Sequence, residues 1–306
     1  MTGNKNNVTL VAMGIAAIER DTGLSKDTLR VWERRYGFPN PLRDTNGERL
    51  YMAEDLTRLR LIKRLMDKGF RPGKIIPLEV AALHALLADN TVTTETASAA
   101  GDTLIHLLKS HRITDLRRHL KNLLIRQGLE RFVLDTVVEM NTQVGDAWMC
   151  GQLAIFEEHN YSEQIQVLLR AAISQLDMPR KAPRILLTSL PGEQHTIGLL
   201  MVEAILTLEG ATCLALGPQT PVPDIQQAVR AHKADVLCLS CSAAFPKTQC
   251  INSLVDLRRG LDADVAVWVG GAGVPKGGLA DGVRRLDSLT ELIAAVSQWR
   301  NEIPLD

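Results

Sequence analysis

The 306-residue sequence predicts a multidomain chain: an all-α winged helix-turn-helix head, a four-helix bundle and a doubly wound parallel α/β domain. Three observations carry that expectation. Two short amphipathic stretches broken by a tight turn, the second rich in arginine, stand near the start. About a hundred residues of almost unbroken helical periodicity follow. Four near-continuous apolar runs then alternate with helical stretches, as strands covered on both faces require.

Residues 14–23, GIAAIERDTG, read as a short helix ending at Gly23, and SKDTLRVWERRYG starts another with Ser25 as N-cap and Asp27 in its first turn. The second helix carries Lys26, Thr28, Arg30, Arg34 and Arg35, a density of donors suited to phosphates and base edges. Prolines end it in FPNPLRDTNGERLY. Asn46-Gly47 then supplies a hairpin turn, which places Arg43, Arg49 and Tyr51 on a wing. A further helix, MAEDLTRLRLIKRLMDKGF, aligns Leu56, Leu59, Ile62 and Met66 on one face. Charge follows the same division. Residues 1–80 hold 15 Lys and Arg against 10 Asp and Glu, which leaves 20 against 25 in the remainder of a chain whose net charge is zero. A basic head on an acidic body points to double-stranded DNA as a partner of the head.

From about Ala81 to Leu176 the pattern is helical, with breaks short enough for antiparallel neighbours in a bundle, and DMPRKAPR reads as a linker. The apolar runs RILLTSL, TCLALG, ADVLCLS and VAVWVGG follow, and in such a domain ligands bind beyond the carboxyl ends of the strands. The expected boundaries are 1–80, 81–178 and 179–306. The five cysteines lack disulfide-scaffold spacing, and Cys238 and Cys241 fall on opposite faces of a strand as packed thiols. No apolar run approaches a membrane span of about 20 residues, and no secretory signal opens the chain, so a cytoplasmic protein without membrane contact is expected.

TLRVWERRYG, then P-x-R and NGERLY, resembles the DNA-binding domain of the MerR family of transcription regulators. A second resemblance rests on Glu193-x-His195-x-x-Gly198, a serine motif at Ser240 to Ser242 after 41 intervening residues, and Gly270-Gly271 after a further 27. This layout is similar to cobalamin-binding domains, with Glu193 in place of the usual Asp and Ser242 in place of Leu. The resemblance implies that His195 is the lower axial ligand of cobalt and that Glu193 holds its other ring nitrogen. Gly198, Gly270, Gly271 and Ser240 would accept the displaced nucleotide tail.

Trp148, nine residues, then Glu158-His159 resembles the light-responsive, adenosylcobalamin-dependent members of the MerR family, the CarH and LitR group. There the bundle caps the upper cobalt face, and Trp148, Glu158 and His159 would pack around the adenosyl group. The resemblance implies a regulator rather than an enzyme: a repressor that occupies its operator in the dark as a homo-oligomer, dimer or tetramer, and releases it on illumination. Met149 stands where these relatives have a histidine that ligates cobalt after photolysis. The photoproduct is therefore expected to lose its corrinoid more readily, since a thioether is the weaker ligand for oxidised cobalt. A regulator that kept these domains while answering to another effector or a protein partner is the alternative.

Overall fold

A computed structural model describes residues 13–67, 70–88, 103–177 and 181–302. The chain forms two compact units. Met1–Ala100 with Gly145–Ala154 make the first, and Gly101–Val144 with Ile155–Asp306 make the second.

In the first unit, β1 (Met13–Gly14) leads into α1 (Ile15–Thr22), which stops at Gly23 in the left-handed conformation, φ +68°. The Ser25 side chain accepts the Thr28 N–H at 3.1 Å and opens α2 (Lys26–Tyr36), a cap worth about 1 kcal/mol. The wing is the hairpin of β2 (Leu42–Arg43) and β3 (Arg49–Tyr51), turning at Asn46-Gly47, and β1 adds a third strand, giving the order β1-β3-β2. That third strand had no sequence signal, because two residues are too few to show alternation. α3 (Ala53–Asp67), the short α4 (Pro72–Ile75) and α5 (Val80–Ala88) complete the unit. Ile18, Leu29, Trp32, Tyr51, Leu59, Ile62, Ile75 and Leu83 build its core. HALLADN was expected to open the bundle, but its Leu86 packs on this core beside Leu83 instead.

The helical part of the second unit comprises α6 (103–109), α7 (Ile113–Arg131), a π-helical segment (Phe132–Val137), α8 (Val138–Met149) up to Val144, and α9 (Ile155–Ser174); the end of α8 from Gly145 belongs to the first unit. Gly128, at φ +75°, kinks α7 near its end. The α/β part has five parallel strands: β4 (Lys181–Thr188), β5 (Ala211–Gly217), β6 (Val236–Ser240), β7 (Ala266–Gly270) and β8 (Val283–Leu286). Their order is β5-β4-β6-β7-β8. The linker read as DMPRKAPR already enters β4 at Lys181. The helices α10 (Ile197–Leu208) and α13 (Leu289–Glu302) pack together, as do α11 (Val222–His232) and α12 (Lys247–Arg259). Leu186, Leu237, Leu239, Val267 and Val269 pack with Ile225, Val229, Leu254 and Leu257 of α11 and α12 in one core.

The chain reverses its direction of travel across the sheet between β4 and β6, and the loops after these two strands flank the crevice where doubly wound sheets bind ligands. Among the described residues no helix is long and apolar enough to cross a membrane.

Candidate functional site

The loop after β4 places Glu193, His195 and Gly198 just before and at the start of α10, and the loop after β6 begins at Cys241 and Ser242. Glu193 is only 1% exposed, yet it remains an acceptor. Its Oε1 takes the His195 backbone N–H at 2.9 Å and lies 2.8 Å from His195 Nδ1, and its Oε2 takes the Ser242 N–H at 2.6 Å. Burial alone would push this carboxyl up. The hydrogen bonds from His195 and Ser242 outweigh burial and hold it below the ordinary carboxylate range. On the other side of the contact, the Glu193 hydrogen bond raises His195 against the opposing pull of burial, and the Glu158 charge adds to the rise.

The imidazole is 61% exposed. With Nδ1 directed at Glu193 Oε1, and Ser242 Oγ 3.0 Å from the same nitrogen, the ring proton belongs on Nδ1 and the lone pair on Nε2. That is the donor a soft-to-borderline metal takes from a histidine, and the carboxylate behind it fixes tautomer and aim together. Ser189 supports the loop from below, its Oγ donating to the Glu193 carbonyl at 2.9 Å and accepting the Gln219 N–H at 3.0 Å. Thr196 Oγ1 donates to Gln166 of α9 at 2.7 Å, which ties the histidine loop to the helical segment. Neither Ser189 nor Gln166 could be found from sequence, since neither belongs to a local motif.

The glycines line close approaches of backbone. A Cβ on Gly198 would stand 2.8 Å from Ser240 Oγ, and one on Gly271 would stand 2.2 Å from the Cys241 carbonyl oxygen. Gly271 also adopts φ +104°, which side-chain-bearing residues rarely reach. Gly270 ends β7 opposite Ser240. Gly273, which the motif does not include, is as tight: a Cβ there would meet the Ser242 carbonyl at 2.0 Å. The residues thus fit a cobalamin, with an aimed imidazole nitrogen and a glycine-lined crevice beside Ser240.

Glu158 and His159 form a second carboxylate–imidazole pair on α9. His159 Nδ1 lies 2.7 Å from Glu158 Oε2, and Ser162 donates to Oε1 at 2.5 Å. The His159 side chain is largely exposed. Trp148 lies in the first unit, where the Arg60 guanidinium stacks 4.2 Å from its ring centroid, an arrangement that holds a cation over the indole face.

On the DNA-binding head, Arg30, Arg34, Arg35 and Arg43 are exposed, while Lys26 and Thr28 are half-buried at the start of α2. Thr28 Oγ1 lies 2.8 Å from Ser25 Oγ, and Lys26 pairs with Glu19 at 3.5 Å. Two expectations for the wing require correction. Tyr51 is fully buried in the core and offers no surface to DNA, because β3 turns it inward against α1 and α3. Arg49 is paired with Glu33 at 2.8 Å, a hydrogen bond that raises its pKa, so the guanidinium stays charged but is already engaged by a carboxylate within the fold.

Known proteins match both ends of the chain. The MerR HTH family regulatory protein profile matches residues 13–78, and the B12 binding domain profile matches residues 183–277. The chain is 28% identical to the HTH-type transcriptional repressor CarH of Myxococcus xanthus over 82% of this chain and 85% of that protein. It is also 28% identical to the HTH-type transcriptional repressor CarA of the same organism, over 95% and 98%. Among solved structures, the monomethylamine corrinoid protein of Methanosarcina barkeri superposes with a TM-score of 0.54 at 16% identity, covering 66% of this chain and 99% of that one, a likeness of fold. The chain therefore joins an N-terminal MerR helix-turn-helix domain to a C-terminal B12-binding domain, in the arrangement shared over most of its length with the MerR-family regulators CarH and CarA.

Proposed function

We propose that this protein is an adenosylcobalamin-dependent, light-sensing transcriptional repressor that holds operator DNA as a dark homo-oligomer. The observation that carries the reading is His195, whose side chain is largely exposed while the buried Glu193 carboxylate lies 2.8 Å from its Nδ1. His195 would hold the cobalt from below, and Gly198, Ser240, Ser242, Gly270 and Gly271 would line the slot for the nucleotide tail. When bound, the cofactor supplies a cobalt–carbon bond that light breaks; the protein supplies orientation and readout. Trp148, Glu158 and His159 are assigned to the upper ligand on the W-x9-E-H pattern. Arg30 on α2, which pairs with Asp27 at 3.2 Å, is assigned to base edges, and Arg34, Arg35 and Arg43 to phosphate, with Lys26 and Thr28 near the start of the same helix. Repression is supported by likeness to two proteins named as repressors. A ligand that binds the assembled state better than the separated one stabilises assembly by that difference.

The test is an operator titration with apo, dark holo and illuminated protein, under red light until illumination. Tight binding only in the dark holo sample is the expected result. Equal binding by all three would refute light control, and absence of corrinoid absorption after incubation with adenosylcobalamin would favour a regulator answering to another effector.

A further inference from the structure

Beneath the Ser242 loop lies a pair of side chains that cobalamin binding does not use. Cys241 follows β6 and Cys250 stands in the first turn of α12; both are fully buried, with their Sγ atoms 3.7 Å apart. The backbone of Cys241 is fixed. Its N–H donates to the Gly270 carbonyl at 2.9 Å, its carbonyl accepts the Gly273 N–H at 3.1 Å, and the bare α-carbon of Gly271 presses against that carbonyl. Closing the pair to a disulfide length of about 2.05 Å therefore moves the first turn of α12 and the loop Ser242–Gln249 rather than the strand end. Most of that loop is exposed, so the thiols lie one layer below solvent.

We propose that Cys241 and Cys250 form a peroxide-sensitive dithiol–disulfide site whose oxidation fastens the Ser242 loop to α12. The Cys250 thiolate attacks one peroxide oxygen; the O–O bond breaks, the departing oxygen takes up a proton and leaves as water, and Cys250 becomes a sulfenic acid. The Cys241 sulfur then attacks that sulfur. An S–S bond forms, the S–O bond breaks, and a second water leaves with the Cys241 proton. Two thiols lose two electrons and one hydrogen peroxide becomes two waters. A dithiol reductant returns both electrons.

Either sulfur of the 3.7 Å pair can donate to the other. With Cys241 as donor the Cys250 thiol is held below its usual range, while that bond and burial push Cys241 up, and Cys250, in the first turn of α12 behind the exposed loop, attacks first. Hydrogen peroxide is close to water in size, so a thin loop admits it where a bulky disulfide would be refused.

Oxidation is independent of cobalamin, and the experiment uses the full chain without cofactor. Protein treated with hydrogen peroxide is alkylated and digested with trypsin, which separates residues 234–247 from 248–258. The expected product is these two peptides linked and released by dithiothreitol. Cys238 shares the first peptide, so the link should survive in Cys238→Ser and vanish in Cys241→Ser and Cys250→Ser. In the oxidised protein, amide hydrogen exchange across 242–249 should slow several-fold. The proposal is overturned if no linked peptide forms at doses that oxidise Cys150 and Cys213, if the link persists in Cys241→Ser, or if exchange in the loop is unchanged by the bond.

Discussion

Glu193→Gln preserves the volume of the buried side chain and removes one acceptor. Wild-type Oε1 serves His195 twice and Oε2 serves the Ser242 N–H. If the amide oxygen faces His195, its NH2 confronts the Ser242 N–H, and a buried donor loses its acceptor. If the amide flips, its oxygen satisfies Ser242, the His195 N–H is orphaned, and the NH2 can donate to Nδ1 only when the ring proton moves to Nε2. Either arrangement loses a charge-assisted bond of about 1.5–3 kcal/mol and strands a donor costing about 1–3 kcal/mol, with relaxation recovering part. A net loss of about 2–4 kcal/mol at a urea slope near 2 kcal/mol/M shifts the midpoint of this unit by about 1–2 M. Hydrogen exchange of peptides from residues 181–302 of the apo chain reads that unit separately, and the 15N shifts of His195 read the tautomer. The sign with pH is fixed as well. A depressed carboxyl contributes stability above its unfolded pKa that is lost as pH falls through its folded value, so the gap between wild type and variant narrows in acid. An unchanged midpoint together with an unchanged tautomer would refute the account of how His195 is held.

Four further outcomes follow from the same coordinates. Gly271→Ala places a methyl group 2.2 Å from a backbone oxygen at φ +104° and should destabilise the second unit by more than about 2 kcal/mol; an unfolding midpoint equal to wild type would show that the β7 end yields. Arg43→Ala should lower the slope of log affinity against log salt by about 1, whereas Arg49→Ala, whose charge Glu33 already takes, should leave that slope alone; equal slope changes would place both on phosphate. Burial raises the Glu203 carboxyl against the lowering effect of Arg170, so native Glu203 holds its proton more tightly than the unfolded chain does and loses stability as pH rises. Glu203→Gln should therefore be slightly more stable than wild type at pH 7 and lose that advantage in acid, as thermal unfolding at both pH values would show. Finally, Met149→His should retain corrinoid through dialysis after illumination better than wild type, and equal retention would remove the role given to Met149.

Legibility in the sequence depended on whether a signal was local. Ser25, Gly23 and Asn46-Gly47 announce helix ends and a turn through backbone chemistry confined to a few residues, and each stands where its chemistry places it. The four apolar strands were visible because burial on both faces demands continuous apolarity. β8, VRRL, was not, since an edge strand half open to solvent tolerates arginine at two of four positions. Tyr51 was misplaced because hairpin register decides which residues face inward, and a one-residue difference reverses the face. Glu193, His195 and Ser242 could be named from spacing. Their hydrogen bonds, and the meeting of Cys241 with Cys250 across a loop, depend on how α10 and α12 seat against the sheet.

The bonds around Glu193 also say where change can occur. All are made within the chain, from loops that leave adjacent strands, so His195 is aimed before any ligand arrives. A ligand held from below by so fixed a group gains little by rearranging that side, and its grip there differs little between one state of the protein and another. Under the proposed function, discrimination between states would then come from contacts above the ligand, with His195 as the fixed jaw of a vice whose other jaw does the sensing.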